Sequence, residues 1–303
     1  MTKSVVFLAF GIFAVSAQSQ TSTVARPRIL GIDHVSFYTT DPEGVKALFG
    51  GTLGLDSVAP VESGELVRYL VGTQWVGYSS APDPKAIDRM DHVAFATDDV
   101  TALREYLIAN RFKVSAIKRR DDQSLSFFVD DSEGHRIEFV SGGLHWKDAW
   151  LDAKPQRVSR HMIHAGFLVH NRDAEDHFYR DLLGFRLYWH GGMRPGETDW
   201  VAMQVPDGTD WLEYMLNHSE HPDLGLMGVL NHISLGVADM KKAQALLESH
   251  GWKPHGGERA QMGRDGKWQL NLFDPDLTRI ELMEFKPVEK PCCADFTGPH
   301  PWE

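Results

Sequence analysis

Asn231-His232-Ile233-Ser234-Leu235 is one of four short runs built to a single plan, and that plan decides the fold. The others are Asp33-His34-Val35-Ser36-Phe37, Asp91-His92-Val93-Ala94-Phe95 and Ile163-His164-Ala165-Gly166-Phe167. In a strand, successive side chains leave on opposite faces. Val35 and Phe37, Val93 and Phe95, Ala165 and Phe167, and Ile233 and Leu235 therefore share one apolar face. The opposite face carries each histidine beside a serine, alanine or glycine. Small neighbours leave space that a packed core would fill, so this face reads as the wall of a cavity.

Working outward, three of the four runs are followed 46 to 49 residues later by a glutamate set between apolar residues. These are Ile137-Glu138-Phe139, Leu212-Glu213-Tyr214 and Ile280-Glu281-Leu282. A buried carboxylate is costly unless it is paired or bound to a metal. Between His and Glu come a helical stretch and short strands. Val100 to Asn110 and Met240 to His250 read as helices, the first opened by Thr97-Asp98-Asp99 and the second closed by Gly251. Pro42 to Gly50 and Ala174 to Leu183 hold the same place in repeats one and three. Asp130-Asp131-Ser132-Glu133-Gly134 and Asp274-Pro275-Asp276-Leu277 are matching turns that lead into a Glu strand. The unit is strand, helix, three strands, and it occurs four times.

The four repeats resemble the vicinal oxygen chelate superfamily, which includes glyoxalase I, methylmalonyl-CoA epimerase, fosfomycin-resistance proteins and extradiol dioxygenases. The resemblance covers about residues 29–286. It implies an α+β fold in which four βαβββ modules pair into two cupped, barrel-like mixed sheets, each able to hold one divalent metal. Carried over by position, repeats three and four supply His164, Glu213, His232 and Glu281. Repeats one and two supply His34, His92 and Glu138, with Gly77 where a fourth ligand would stand. Imidazole and carboxylate ligands suit Fe, Mn, Ni, Co or Zn. Such an ion polarises adjacent oxygens of a small-molecule substrate. Glu213 is the candidate catalytic base, because a three-ligand site does not require it.

The resemblance leaves three activities open. A glyoxalase-like lyase or isomerase is the first. A ring-cleaving dioxygenase is the second, although such enzymes carry His at the position of Glu213 and Tyr ten residues before the last ligand. Here Asn271 and Phe128 stand at those tyrosine positions. Non-catalytic sequestration of a small molecule is the third, and ligand-type residues in the cups weigh against it. Trp75, Trp200, Trp211 and Trp268 are candidates to line the cups. His145, His161, His170, His177, His190, His218, His221, His250 and His255 are expected at the surface.

The 303 residues, 42% hydrophobic and 24% charged, fit a two-domain globular protein. A net charge of -11 without a basic block argues against nucleic acid or an anionic membrane as partner. Lys3, the apolar stretch Val5 to Val15 and Val15-Ser16-Ala17 read as a signal peptide over residues 1–17, which predicts a periplasmic or secreted chain. The expected layout is then a module pair at 29–142, a connector at 143–160, a second pair at 161–286 and a tail at 287–303. Cys292 and Cys293 are the only cysteines, so no disulfide framework holds the core. Each pair completes its own sheet, so a monomer suffices, and a homodimer is equally compatible.

Overall fold

The computed structural model describes residues 25–58, 64–120, 122–142, 156–254 and 259–302. The signal-peptide reading, most of the connector, His145 and His255 lie outside these residues.

Among the described residues, sixteen strands follow the fourfold plan. Module one has β1 (Ile29–Thr39), β2 (Ser57–Val58), β3 (Glu65–Val71) and β4 (Gln74–Ser80). Module two has β5 (Met90–Thr97), β6 (Lys118–Arg119), β7 (Leu125–Asp130) and β8 (Arg136–Ser141). Module three has β9 (Met162–Leu168), β10 (Arg186–Gly191), β11 (Trp200–Gln204) and β12 (Trp211–Met215). Module four has β13 (His232–Val237), β14 (Gln261–Met262), β15 (Trp268–Phe273) and β16 (Arg279–Glu284). Modules one and two form one eight-stranded mixed sheet, and modules three and four form the other. In each, the two opening strands pair antiparallel at the centre and each flanks its own module's last strand in parallel. The pairing of four modules into two sheets, implied by the family resemblance, is the one observed.

Each module's helix follows its opening strand. The expected helices over Val100 to Asn110 and Met240 to His250 appear as α2 (Val100–Ala109) and α5 (Met240–Ser249). Asp99 and Asp239 cap them by accepting backbone N–H bonds. Gly251 follows α5 with φ +91°, a conformation that favours glycine. In modules one and three the helix starts regularly, as α1 (Pro42–Lys46) and α3 (Arg172–Asp176). It then widens into a π-helical turn at Ala47–Thr52 and His177–Leu182. A further short helix, α4 (Leu224–Leu230), precedes β13. No helix among the described residues is long and apolar enough to cross a membrane.

The faces divide as alternation requires. Val35, Phe37, Val93, Phe95, Ala165, Phe167, Ile233 and Leu235 are all buried in one core that runs through both halves. Matching polar contacts lock the halves together. The Tyr78 hydroxyl donates to Asp274 (3.1 Å), and the Tyr179 hydroxyl donates to Asp131 (2.9 Å), so each turn aspartate is anchored in the other half. His161 was expected at the surface; instead it is mostly buried, with Nε2 2.7 Å from Asp210, whose carboxylate also accepts the Ile32 N–H. The tail packs along the second half, where the Thr297 N–H bonds to the Tyr188 carbonyl and a disulfide joins Cys292 to Cys293.

Candidate metal centre

The register of the central strands explains how each site is assembled. In the second half, His232 lies opposite Gly166 and His164 opposite Ser234, both across the β9–β13 ladder. Glu281 lies beside Ser234, and Glu213 beside Gly166. Each of these ligands thus has a small residue beside it on one neighbouring strand, while on the other side His164 lies beside Trp211 and Glu281 beside Asn271. The first half repeats this, with His34 opposite Ala94, His92 opposite Ser36, Glu138 beside Ala94 and Gly77 beside Ser36. Gly77 therefore holds the place of Glu213, as the sequence alignment of the repeats implies.

The structure brings together His164, His232 and Glu281 in one group, and His34, His92 and Glu138 in another. The two Nε2 atoms are 3.1 Å apart in the second half and 3.0 Å apart in the first. Glu281 Oε2 stands 3.4 Å from His164 Nε2 and has no hydrogen-bond partner. Donors about 2.1 Å from a shared ion stand roughly 3 Å apart, so this set fits a divalent metal. Glu213 lies at the edge of that group, 3.4 Å from His232 Nε2 and 3.8 Å from His164 Nε2.

The cups differ in what fills them. In the second half Ala202 faces Glu213 across β11–β12, and a cavity of about 320 Å³ opens there. Trp189, Trp200, Trp211, Phe296 and Tyr188 wall it, with Glu213, Glu281, Arg279, Lys267 and Asn271 as polar groups. In the first half Arg68 faces Gly77 and is fully buried. Trp75 stacks on His34 at 3.7 Å and takes the Arg68 guanidinium 3.8 Å above its ring. A Cβ at Gly77 would stand 2.6 Å from the Trp75 ring, so the tryptophan fills the space a fourth ligand would need. Arg120 enters the triad itself, 2.8 Å from Glu138 and 3.4 Å from His34. Among the described residues, the two cups thus depart in different ways from the expectation that both histidine faces are cavity walls. In the second half the cavity is walled by Glu213 and Glu281, with both histidines buried behind them. In the first half Arg68, Trp75 and Arg120 fill the cup, while His92 borders a separate cavity of about 290 Å³. Trp268 packs against the core rather than lining a cup, whereas Trp189 and Phe296 line one.

Electrostatics follow the same division. Burial alone would raise the Glu138 carboxyl, but bonds to His34 and His92 and the Arg120 charge hold it well below the usual range. Burial likewise opposes protonation of His92, and Asp91 and Glu138 overcome it, raising the imidazole. This triad is internally compensated by charge. In the second half burial pushes His164 and His232 well down, with nearby cationic charge adding to the effect. Burial raises Glu213 against the pull of Arg279 and Lys267, and lifts Glu281 to about 7. Neutral imidazoles are the form that ligates metal.

The outer contacts differ too. His34 and His92 point Nδ1 at Asp33 and Asp91 (2.8 and 2.7 Å), which turns Nε2 inward. His232 Nδ1 donates to the Leu230 carbonyl (2.9 Å), leaving the Nε2 lone pair to accept from Arg279 at 2.6 Å. His232 Nε2 could serve as a metal ligand only if the Arg279 guanidinium moved off that lone pair. Sequence reasoning missed Arg120, Arg279 and Lys267; charged residues flanking strands carry no motif, and only packing places them in the cups.

The model of the Glyoxalase/Bleomycin resistance protein/Dioxygenase superfamily matches residues 31–139 and 161–282, one module pair each. The chain belongs to this superfamily. Among solved structures, the superfamily chain is similar to the 2,3-dioxygenase LapB from Pseudomonas sp. KL28, with TM-score 0.65 and 14% identity over 92% of this chain and 96% of that one. It is also similar to homoprotocatechuate 2,3-dioxygenase from Arthrobacter globiformis, with TM-score 0.64 and 14% identity over 86% and 81% of the two chains. An extradiol ring-cleaving dioxygenase from B. fuscum gives TM-score 0.64 and 15% identity over 90% and 76%. At these identities the likeness is one of fold. Comparison with curated protein sequences gives no match.

Proposed function

We propose that the chain is a metal-dependent lyase or isomerase acting on a small molecule with adjacent oxygens, with His164, His232 and Glu281 holding the ion and Glu213 moving the proton. The observation that carries this reading is the place of Glu213. It is a second carboxylate, 3.4 Å from a ligand histidine, facing the cavity from outside the three-residue group. A bound divalent ion would supply Lewis acidity toward the substrate oxygens. Burial raises the Glu213 carboxyl toward the range where a general base works at neutral pH. Arg279 and Lys267 offer positive charge to an oxygen-centred anion formed beside it.

A second reading, ring-cleaving dioxygenase, draws on two features. The aromatic walls suit a planar ring, and a His-His-Glu triad leaves open positions on an iron ion. Against it stands the strand neighbour of Glu281, which is Asn271 rather than a phenol, and the carboxylate of Glu213 where an imidazole would be needed. The tyrosine in the wall, Tyr188, has its hydroxyl bonded to His300.

Two assays on iron- and manganese-loaded protein separate the readings. Exchange of a carbon-bound proton for deuterium in a hydroxy or keto compound, lost in Glu213→Gln with metal retained, supports the isomerase. Oxygen uptake with catechols, without such exchange, overturns it in favour of ring cleavage. Residues 1–17 further support an exported enzyme with a substrate outside the cytoplasm. N-terminal sequencing of the mature chain checks that, a start at Gln18 supporting it and an intact Met1 opposing it.

A further inference from the structure

A third cluster of ligand-type residues among the described residues lies where the halves meet. Asp131 and His135 come from the turn between β7 and β8, and Glu175 comes from α3 in the other half. One ligand atom from each lies within 4.8 Å of the others. His135 Nδ1 is 2.8 Å from Asp131 Oδ2, and the imidazole stacks on Phe167 at 4.1 Å.

Glu175 is the anomaly. It is 0% exposed, neither carboxyl oxygen meets a donor in good hydrogen-bond geometry, and the carboxyl stands against the Asp131 carboxylate and the Glu133 backbone. Two buried carboxyls set against each other need a shared proton or a cation between them, because neither can ionise freely beside the other. The Tyr214 hydroxyl and Asp176 Oδ1 are likewise buried and unpartnered, and both side chains belong to module three.

The fold contains its own control. The corresponding turn of the second half begins at Asp274, whose Oδ1 accepts the Thr278 N–H just as Asp131 Oδ1 accepts the His135 N–H. Thr278 thus holds the place of His135. Four residues after the cap Asn171 stands Glu175, and four after the matching cap Asp41 stands Val45, fully buried in the core. The packing therefore accepts valine and threonine at these two places. Carboxylate and imidazole at the other pair are additions that the fold itself does not demand.

We propose that Asp131, His135 and Glu175 form a structural divalent-cation site joining the two halves, distinct from the cups. Two carboxylates and one imidazole suit Zn²⁺ or Mn²⁺. The Tyr179 hydroxyl donates to the same Asp131 Oδ2 that faces His135 Nδ1, and so fixes the orientation of that carboxylate. An ion bound here ties the module-two turn to α3, so it stabilises the association of the halves rather than the chemistry.

The test copies the other half of the molecule. Full-length wild type, Glu175→Val and His135→Thr are dialysed against Zn²⁺, and again against Mn²⁺, and metal is counted per chain by elemental analysis alongside thermal melts. Either substitution should remove one equivalent per chain and abolish the part of the metal-induced rise in Tm that belongs to this site. The double variant should lose no more than either single one. Glu175→Gln, which keeps the shape, guards against a folding defect in Glu175→Val and should lose the same equivalent. Unchanged metal content in folded Glu175→Val and Glu175→Gln overturns the site, and leaves Glu175 as a protonated carboxyl beside Asp131.

Discussion

The His232 ring lies directly against the backbone of Gly166: a Cβ on that glycine would stand 2.1 Å from Cε1 and 2.6 Å from Nδ1. The absence of a side chain on β9 is therefore what allows a ligand histidine on β13. Gly166→Ala should displace the imidazole while leaving the sheet intact, at an overpacking cost of about 1–3 kcal/mol. Metal affinity of the second cup should fall about 10- to 100-fold, the range seen when a ligand's support is disturbed. Metal titration beside a circular-dichroism melt checks this, and unchanged affinity would refute the role given to the glycine.

Glu213→Gln removes the proposed base without touching the three-residue group. Turnover should fall by roughly 10²–10⁴-fold, with metal content retained. Loss of metal in this variant would make Glu213 a ligand instead.

Arg120 reaches into the first triad and donates to Glu138 at 2.8 Å. Arg120→Ala leaves a buried carboxylate short of a partner, which costs about 3–5 kcal/mol. Excess Zn²⁺ should restore much of that stability and raise metal content by one equivalent per chain over wild type. A variant that is destabilised but takes no additional metal would show that this triad has lost metal binding altogether.

His161 places Nε2 against Asp210 and Nδ1 against the Trp302 carbonyl, two acceptors that together call for a doubly protonated ring. Burial opposes the charge, but Asp210 outweighs it and the pKa rises above 6.5. Its stabilising contribution is thus complete below about pH 6.5 and fades as pH rises through the folded value. Wild type should lose Tm over that interval more steeply than His161→Gln. Parallel curves would remove His161 from the account.

Much of this was legible in the chain because strand period and repeat period coincide on the same residues. His34, His92, His164 and His232 fall on one face by alternation, and repetition marks them against ordinary core histidines. The turn aspartates and helix caps were equally visible, since Asp, Asn and Gly act through local backbone geometry. The π-helical turns were not, because nothing local distinguishes Ala47–Thr52 from a regular helix end. Nor was His135 noticed, or Glu175, which reads as one more helical carboxylate until the fold buries it.

The sequence by itself determined four modules and the strand positions of the candidate ligands, because periodicity and turn chemistry act over a few residues; how the modules pair was implied only by the family resemblance. The tertiary structure decided which cup is open. Arg68 against Gly77 and Ala202 against Glu213 are cross-strand neighbours, and Arg120 reaches His34 across 86 residues of chain. Side-chain volume and charge meet only after the sheets close, so whether two similar triads face a filled cup or a 320 Å³ cavity is settled by packing.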